Sequence, residues 1–169
     1  MNVATIGVSA KEIPEIFQYS LTFKVDSAVR KNIYMNRIVG KLALKILDEI
    51  PSNVAKITIT LSNETISLGL YSLTNNYSNI KTLSYACTGS KVFYTNIFNT
   101  KGPQDITIRS YTSTDQLVSE KSILQVQFQK NKVTVLSRKL FDKVGTSVST
   151  GFTVIANGLW DSSSNQINF

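Results

Sequence analysis

The stretch that decides the fold lies in the last quarter of the 169-residue chain and reads Phe128-Gln-Lys-Asn-Lys-Val-Thr-Val-Leu-Ser-Arg-Lys-Leu-Phe141. Apolar and polar residues alternate through its centre. Because successive side chains leave a strand on opposite faces, this alternation predicts a strand with one buried face and one solvated face. The stretch contains no histidine, cysteine, aspartate or glutamate.

The same character extends over most of the chain. Short polar interruptions separate the predicted strands, which lie at 56–61, 65–71, 80–86, 92–98, 105–111, 123–128, 132–138 and 152–156. Turn-forming residues stand between them, at 75–76, 88–90, 101–103 and 157–158. A regular spacing of short strands is typical of a sandwich or barrel, so we expect an all-β fold built as an antiparallel β-sandwich.

Residues 36–50 fit two periods. Ile38, Leu42 and Ile46 recur at helical spacing, yet Gly40 and Leu44 between them complete a period of two. Predicted strands on either side favour a strand for this segment.

The first 30 residues differ from the remainder. Ser9 with Glu12 three residues later predicts one helical turn, which Pro14 limits, and residues 19–25 then alternate as a strand does. We divide the chain into an N-terminal extension or tail of a preceding domain at 1–30 and a β-sandwich domain at 31–169.

The formal net charge of +7 raises the question of nucleic-acid binding. Basic residues are dispersed along the chain, and no aromatic platform or Gly-rich signature accompanies them, so we expect no nucleic-acid partner. The single cysteine, Cys87, cannot form an internal disulfide. The sequence has neither an apolar run of transmembrane length nor an N-terminal signal-peptide pattern.

The residue types needed for common enzyme chemistry are missing or scattered. Histidine is absent, which removes the usual general base and the commonest zinc ligand. The carboxylates follow no calcium-loop spacing, and no glycine-rich phosphate cradle occurs. We therefore expect no catalytic, cofactor-binding or metal-binding residues, no cofactor and no enzymatic activity.

Aromatic residues near the C-terminus are predicted to fill the sandwich core, namely Phe141, Phe152 and Trp160. The last residues alternate as a strand, and we expect Gln166, Ile167, Asn168 and Phe169 to dock in their own domain. An alternative function is a carbohydrate-binding module, in which Tyr71, Tyr77 and Tyr85 line a sugar-binding face.

Three segments resemble the type V fimbrial subunits of Bacteroidales, in particular the fimbrillin-associated anchor and minor subunits. Asn36-Arg-Ile-Val-Gly-Lys-Leu-Ala-Leu-Lys-Ile46, with the proline loop at 48–54, is similar to the opening of that family's C-terminal domain. Residues 128–141 resemble its late strand motif, and Trp160 with Ile167-Asn-Phe169 resembles its closing segment. Arg138 departs from the pattern, since members often carry glycine there.

The resemblance implies a transthyretin-like β-sandwich that acts as a structural or adhesive subunit of a fimbria, or pilus. It implies an extracellular location on the outer-membrane surface and assembly by β-strand exchange. The expected partners are other fimbrial subunits and a host or bacterial surface ligand. The family's lipidated cysteine has no counterpart here.

Overall fold

A computed structural model describes residues 5–7, 13–19, 21–22, 30, 32–69, 75–141 and 153–159, with the backbone alone at 5–7, 66–69, 75–78 and 153–159. Every regular element in these residues is a β-strand, and none is a helix, which confirms the all-β prediction. The strands are β1 Thr5–Gly7, β2 Phe17–Gln18, β3 Asn36–Arg37, β4 Gly40–Ile46, β5 Lys56–Gly69, β6 Asn75–Ala86, β7 Val92–Ile97, β8 Gln104–Tyr111, β9 Leu117–Val126, β10 Lys132–Arg138 and β11 Thr153–Leu159.

The strands form two larger sheets and one small one. The first sheet runs β6-β5-β8-β9, with β1 beside the far half of β5, and all of its pairs are antiparallel. The second sheet runs β11-β10-β4-β7. Strands β2 and β3 pair separately.

One core joins the two larger sheets. Strand β8 alternates strictly between buried and half-buried residues, as a strand with one face on a core must. Its Ile106 and Ile108 belong to the same buried cluster as Leu42 and Leu44 of β4 and Leu136 of β10. Two sheets that share an apolar layer in this way are the architecture of a β-sandwich.

The sandwich is not wholly antiparallel as predicted, because β4 and β10 run parallel. The chain changes sheets between β9 and β10, and such a crossover allows a strand to enter beside β4 in the same direction. The register is unbroken from Val133 opposite Lys41 to Arg138 opposite Ile46. Arg138 therefore closes a regular strand.

Several predicted boundaries change in the structure. The ambiguous segment 36–50 is extended, as β3 and β4. The predicted strands 56–61 and 65–71 are one long strand, β5, with a register irregularity between Leu61 and Glu64. The predicted turns at 75–76 and 157–158 lie inside β6 and β11, because cross-strand pairing outweighs the turn preference of their residues. The helical turn predicted from Ser9 and Glu12 lies outside the described residues.

The N-terminal segment packs on the rest of the chain. Ile13 and Ile16 form a second buried cluster with Ile38, Val39 and Phe98. The N–H of Ile38 donates to the carbonyl of Ile16 at 3.0 Å. The division of the chain at residue 30 stays a prediction.

Candidate interaction edge

Among the described residues the two larger sheets have five edge strands, β1, β6 and β9 in the first sheet and β7 and β11 in the second, and only the backbone of β1 and β11 is described. An edge strand presents unpaired N–H and C=O groups, which form a template for a strand of another chain. The side chains around β6, β7 and β9 decide how open each edge is.

The edge of β7 is blocked by side chains. The Ser90 hydroxyl donates to the carbonyl of Val92 at 2.9 Å and accepts the N–H of Val92 at 3.2 Å. The Tyr85 hydroxyl, reaching across from β6, donates to the carbonyl of Tyr94 at 3.0 Å. These bonds occupy backbone groups that an incoming strand would need.

The edge of β6 is polar where its side chains are described. The amide oxygen of Asn79 accepts the N–H of Ile80 at 2.8 Å, which occupies one backbone donor. On the outer face the Thr82 hydroxyl bonds to that of Thr60 at 3.0 Å. Ile80 is the large apolar side chain exposed on this strand, at 67%.

Among the side chains that the structure describes, the edge of β9 is more apolar than the edge of β6. Leu117, Val118 and Leu124 are 54%, 36% and 70% exposed. Within the described part of the chain β9 pairs with β8 alone. A long strand that presents apolar side chains at a sheet edge is a predicted site of strand addition.

The inner face of β9 is only half covered. By register its inward residues stand opposite Ile106, Ile108 and Ser110 of β8, all of which are buried. Their partners on β9, which are half-buried, are in the same order Ile123, Lys121 and Ser119. Among the residues that the structure describes, the layer between the sheets is therefore incomplete along this margin.

Each inward residue of β9 has a different environment. Ile123 packs against the main core, and the Ser119 hydroxyl donates to the carbonyl of Leu140 at 2.6 Å. Lys121 lies between them and forms no ion pair with any residue that the structure describes. The charge on the outer face is balanced, because Arg109 Nε contacts Glu120 Oε2 at 2.6 Å.

A buried polar network lies at one end of the sandwich. Glu64 Oε1 accepts the N–H groups of Thr65, Phe98 and Asn99 at 2.8, 3.1 and 2.6 Å. The Asn99 amide donates to the carbonyl of Asn63 at 2.7 Å. These bonds hold the loop between β7 and β8 against the irregular part of β5.

Burial dominates the electrostatics of this network. Desolvation raises the pKa of Glu64 despite the three backbone donors and the nearby positive charge of Lys81. Desolvation also lowers the pKa of Lys81. Glu64 is fully buried, so we assign the network a structural role and not a binding role.

The predicted core residues have different outcomes. Phe141 is half-buried and packs against the main core, and its N–H donates to Asp48 Oδ2 at 2.7 Å. Phe152 and Trp160 lie outside the described residues. The predicted terminal strand does so as well, with Gln166, Ile167, Asn168 and Phe169.

The predicted tyrosine face is not assembled from the described side chains. Tyr85 faces inward, with its ring 5.5 Å from that of Phe93, and nothing is described of the side chains of Tyr71 and Tyr77. Tyr94 and Tyr111 belong to different sheets. The Nζ atom of Lys41 lies 5.4 Å from the centre of the Tyr94 ring, and that of Lys56 lies 5.2 Å from the centre of the Tyr111 ring.

Residues 117–122 were missed by the sequence prediction, which began this strand at 123. The polar run Ser119-Glu-Lys-Ser122 masks the alternation. The available signal was the apolar pair on each side of it, Leu117-Val118 and Ile123-Leu124, because a strand edge often carries charge at its centre.

Two further classes of site are absent from the described residues. They contain no helix that could span a membrane. They contain no group of three or more Cys, Asp or Glu side chains placed to hold a metal ion.

Comparisons with known proteins give little beyond this geometry. No protein-family model matches the chain, and no curated protein matches it. A solved structure from Bacteroides ovatus ATCC 8483, a protein whose proposed role is cell adhesion, is similar over 74% of this chain at 10% identity and a TM-score of 0.44. The match spans 45% of that protein's length. A likeness this low supports no inference about function.

Proposed function

We propose that the protein is a structural or adhesive subunit of a cell-surface fimbria that joins a partner subunit by β-strand addition at β9. The observation that carries the proposal is the edge of β9, which pairs with β8 alone among the described residues and exposes Leu117, Val118 and Leu124. Support also comes from the resemblance of residues 36–54, 128–141 and 160–169 to type V fimbrial subunits. In this proposal the sandwich is transthyretin-like and has no enzymatic activity.

The energetics of the β9 edge suit an extended partner. Each main-chain hydrogen bond that a partner strand adds contributes about 0.5–1.5 kcal/mol net, and the bonds form as a ladder. The partner strand also covers apolar side chains that water now contacts, at roughly 25 cal/mol per Å² of apolar surface. Strand addition therefore pairs the free backbone groups of this edge and covers its exposed apolar side chains in one step.

The contrast with β7 explains why assembly is selective. Both strands are sheet edges, and both carry an exposed large side chain, Leu124 on β9 and Tyr94 on β7. The backbone of β7 is occupied by Ser90 and Tyr85, whereas no comparable pair of caps covers β9 among the described residues. An incoming strand is therefore expected at β9.

Photo-crosslinking in the cells that produce the protein tests this proposal. A photoreactive residue at Leu124 should crosslink to an extended segment of another subunit of a surface filament, identified by mass spectrometry. The same residue at Tyr94 is the matched control and should not crosslink to that segment. Crosslinks from Tyr94 alone, or a protein confined to the cell interior, would contradict the proposal.

A further inference from the structure

The centre of β9 carries a charge pattern that bears on partner choice. Lys121 faces inward between Ser119 and Ile123, whereas Glu120 faces outward and pairs with Arg109. An inward-pointing charged residue on an edge strand is a known device against edge-to-edge association. Lys121 therefore bears on which strands can pair with β9.

Pairing with a second copy of β9 brings like charges together. Two copies joined across antiparallel edges are related by a two-fold axis normal to the sheet, so each inward residue meets an inward residue. Gln125 has a φ of 57°, which ends the regular stretch at Leu124 and places the strand midpoint between Glu120 and Lys121. The two registers nearest that midpoint set Lys121 against Lys121 or Glu120 against Glu120.

A different strand can satisfy the same position. A residue directly opposite Lys121 lies on the same face, in the half-covered margin between the sheets. An acidic residue there balances a lysine that has no ion pair among the described residues. The chain's formal charge of +7 favours an acidic partner in the same sense.

We infer that Lys121 makes β9 selective, so that this edge accepts an extended strand with an acidic inward residue and rejects a second copy of itself. This inference rests on the proposed function, since it specifies the partner of the same edge. The partner segment has an apolar residue opposite Ile123, an acidic residue opposite Lys121 and a small polar residue opposite Ser119.

A peptide titration tests the charge preference. The probes are nine-residue peptides with glutamate, glutamine or lysine at the centre, valine two residues before it to face Ile123 and threonine two residues after it to face Ser119 in an antiparallel pair. The wild-type chain should bind the glutamate peptide about 2- to 30-fold more tightly than the lysine peptide, the range expected for opposite against like charges directly across a strand pair. Lys121→Glu should reverse the order.

Lys45→Glu is the matched control, because it makes the same change in net charge at an exposed site on β4 of the second sheet. It should leave the preference for the glutamate peptide in place. Loss of the preference in Lys45→Glu would mean that overall charge decides binding, and the inference would be wrong. Equal affinities for all three peptides would overturn the inference and leave strand addition standing, whereas no binding by any peptide would overturn both.

Sedimentation velocity tests the second half of the inference. Lys121→Val removes the like charge and should produce a concentration-dependent dimer, while the wild-type chain and Lys45→Val stay monomeric. A wild-type chain that dimerises through β9 would contradict the inference, as would a Lys121→Val chain that stays monomeric.

Discussion

Glu64 shows how a single buried residue organises a crossover between sheets. Its carboxylate is fully buried at the irregular part of β5 and accepts three backbone N–H groups, two of them from the start of the β7–β8 loop. Its second oxygen, Oε2, has no hydrogen-bond partner in the described residues. Burial destabilises the charged carboxylate more than the three hydrogen bonds stabilise it, and the pKa of Glu64 is therefore raised.

The raised pKa gives a signed pH dependence. Because the folded protein holds the proton more tightly, this contribution to stability is fully present below the unfolded value of about 4.3 and is lost as pH rises through the folded-state pKa. Unfolding free energies from urea titrations across this range should show the wild-type chain losing stability relative to Glu64→Gln as pH rises. Glu49→Gln, at an exposed partner of Lys91, keeps Glu64 and is the control, so its pH dependence should follow that of the wild-type chain. The opposite slope would mean that the donors and Lys81 outweigh burial.

At the scale of elements, the sequence predicts where the strands lie better than it predicts which strands pair with each other. Strands β7, β8 and β10 lie within a residue of their predicted bounds, since alternation over a buried face is a local signal. The parallel pairing of β4 with β10 depends on contacts 92 residues apart in the chain, such as Leu42 with Thr134, which alternation does not encode. The merging of two predicted strands into β5 likewise depends on β6, which pairs along both halves.

The candidate site was missed for a related reason. Whether β9 is an edge is a property of the whole sheet order, and residues 119–122 are polar whichever neighbour they have. The half-covered margin beside Lys121 likewise became visible only with the sheet order.

We predict that Gly40, at the start of β4, tolerates no larger side chain, because the backbone before β10 lies close to it. A Cβ added there would stand 2.7 Å from the carbonyl oxygen of Gln129, which belongs to the backbone and cannot swing away. Gly40→Ala should lower the unfolding free energy by about 1–3 kcal/mol, as overpacking of a core does. Gly102→Ala, where nothing lies within 4 Å, is the control and should be close to neutral by the same urea titration. Equal effects at both sites would show that the backbone at Gly40 relaxes freely.

At the scale of the whole molecule, Arg37 connects the N-terminal segment to the sandwich. Its guanidinium donates to Asn131 Oδ1 at 2.8 Å and to Glu15 Oε2 at 3.1 Å, and it lies 4.9 Å from the centre of the Phe17 ring. The segment at 13–18 is therefore held by one buried cation as well as by the cluster around Ile16.

Removal of this cation should loosen the segment before it unfolds the sandwich. Arg37→Met is expected to speed amide hydrogen exchange at 13–18 by about tenfold or more, because hydrogen bonds to a charged group contribute about 1.5–3 kcal/mol. Exchange within β8 should change much less. Arg109→Met, which breaks an exposed pair with Glu120, is the control. Uniform acceleration across both regions would show that Arg37 supports global stability alone.

The central claim is that β9 adds an extended strand, and cross-strand nuclear Overhauser effects between the chain and the isotope-labelled glutamate peptide test it most directly. We expect amide-to-amide and α-proton contacts from the peptide to residues within 117–124, with Lys121 opposite the central glutamate. Contacts to β6 or β7 instead, or a bound peptide that shows no strand-type contacts at all, would contradict it.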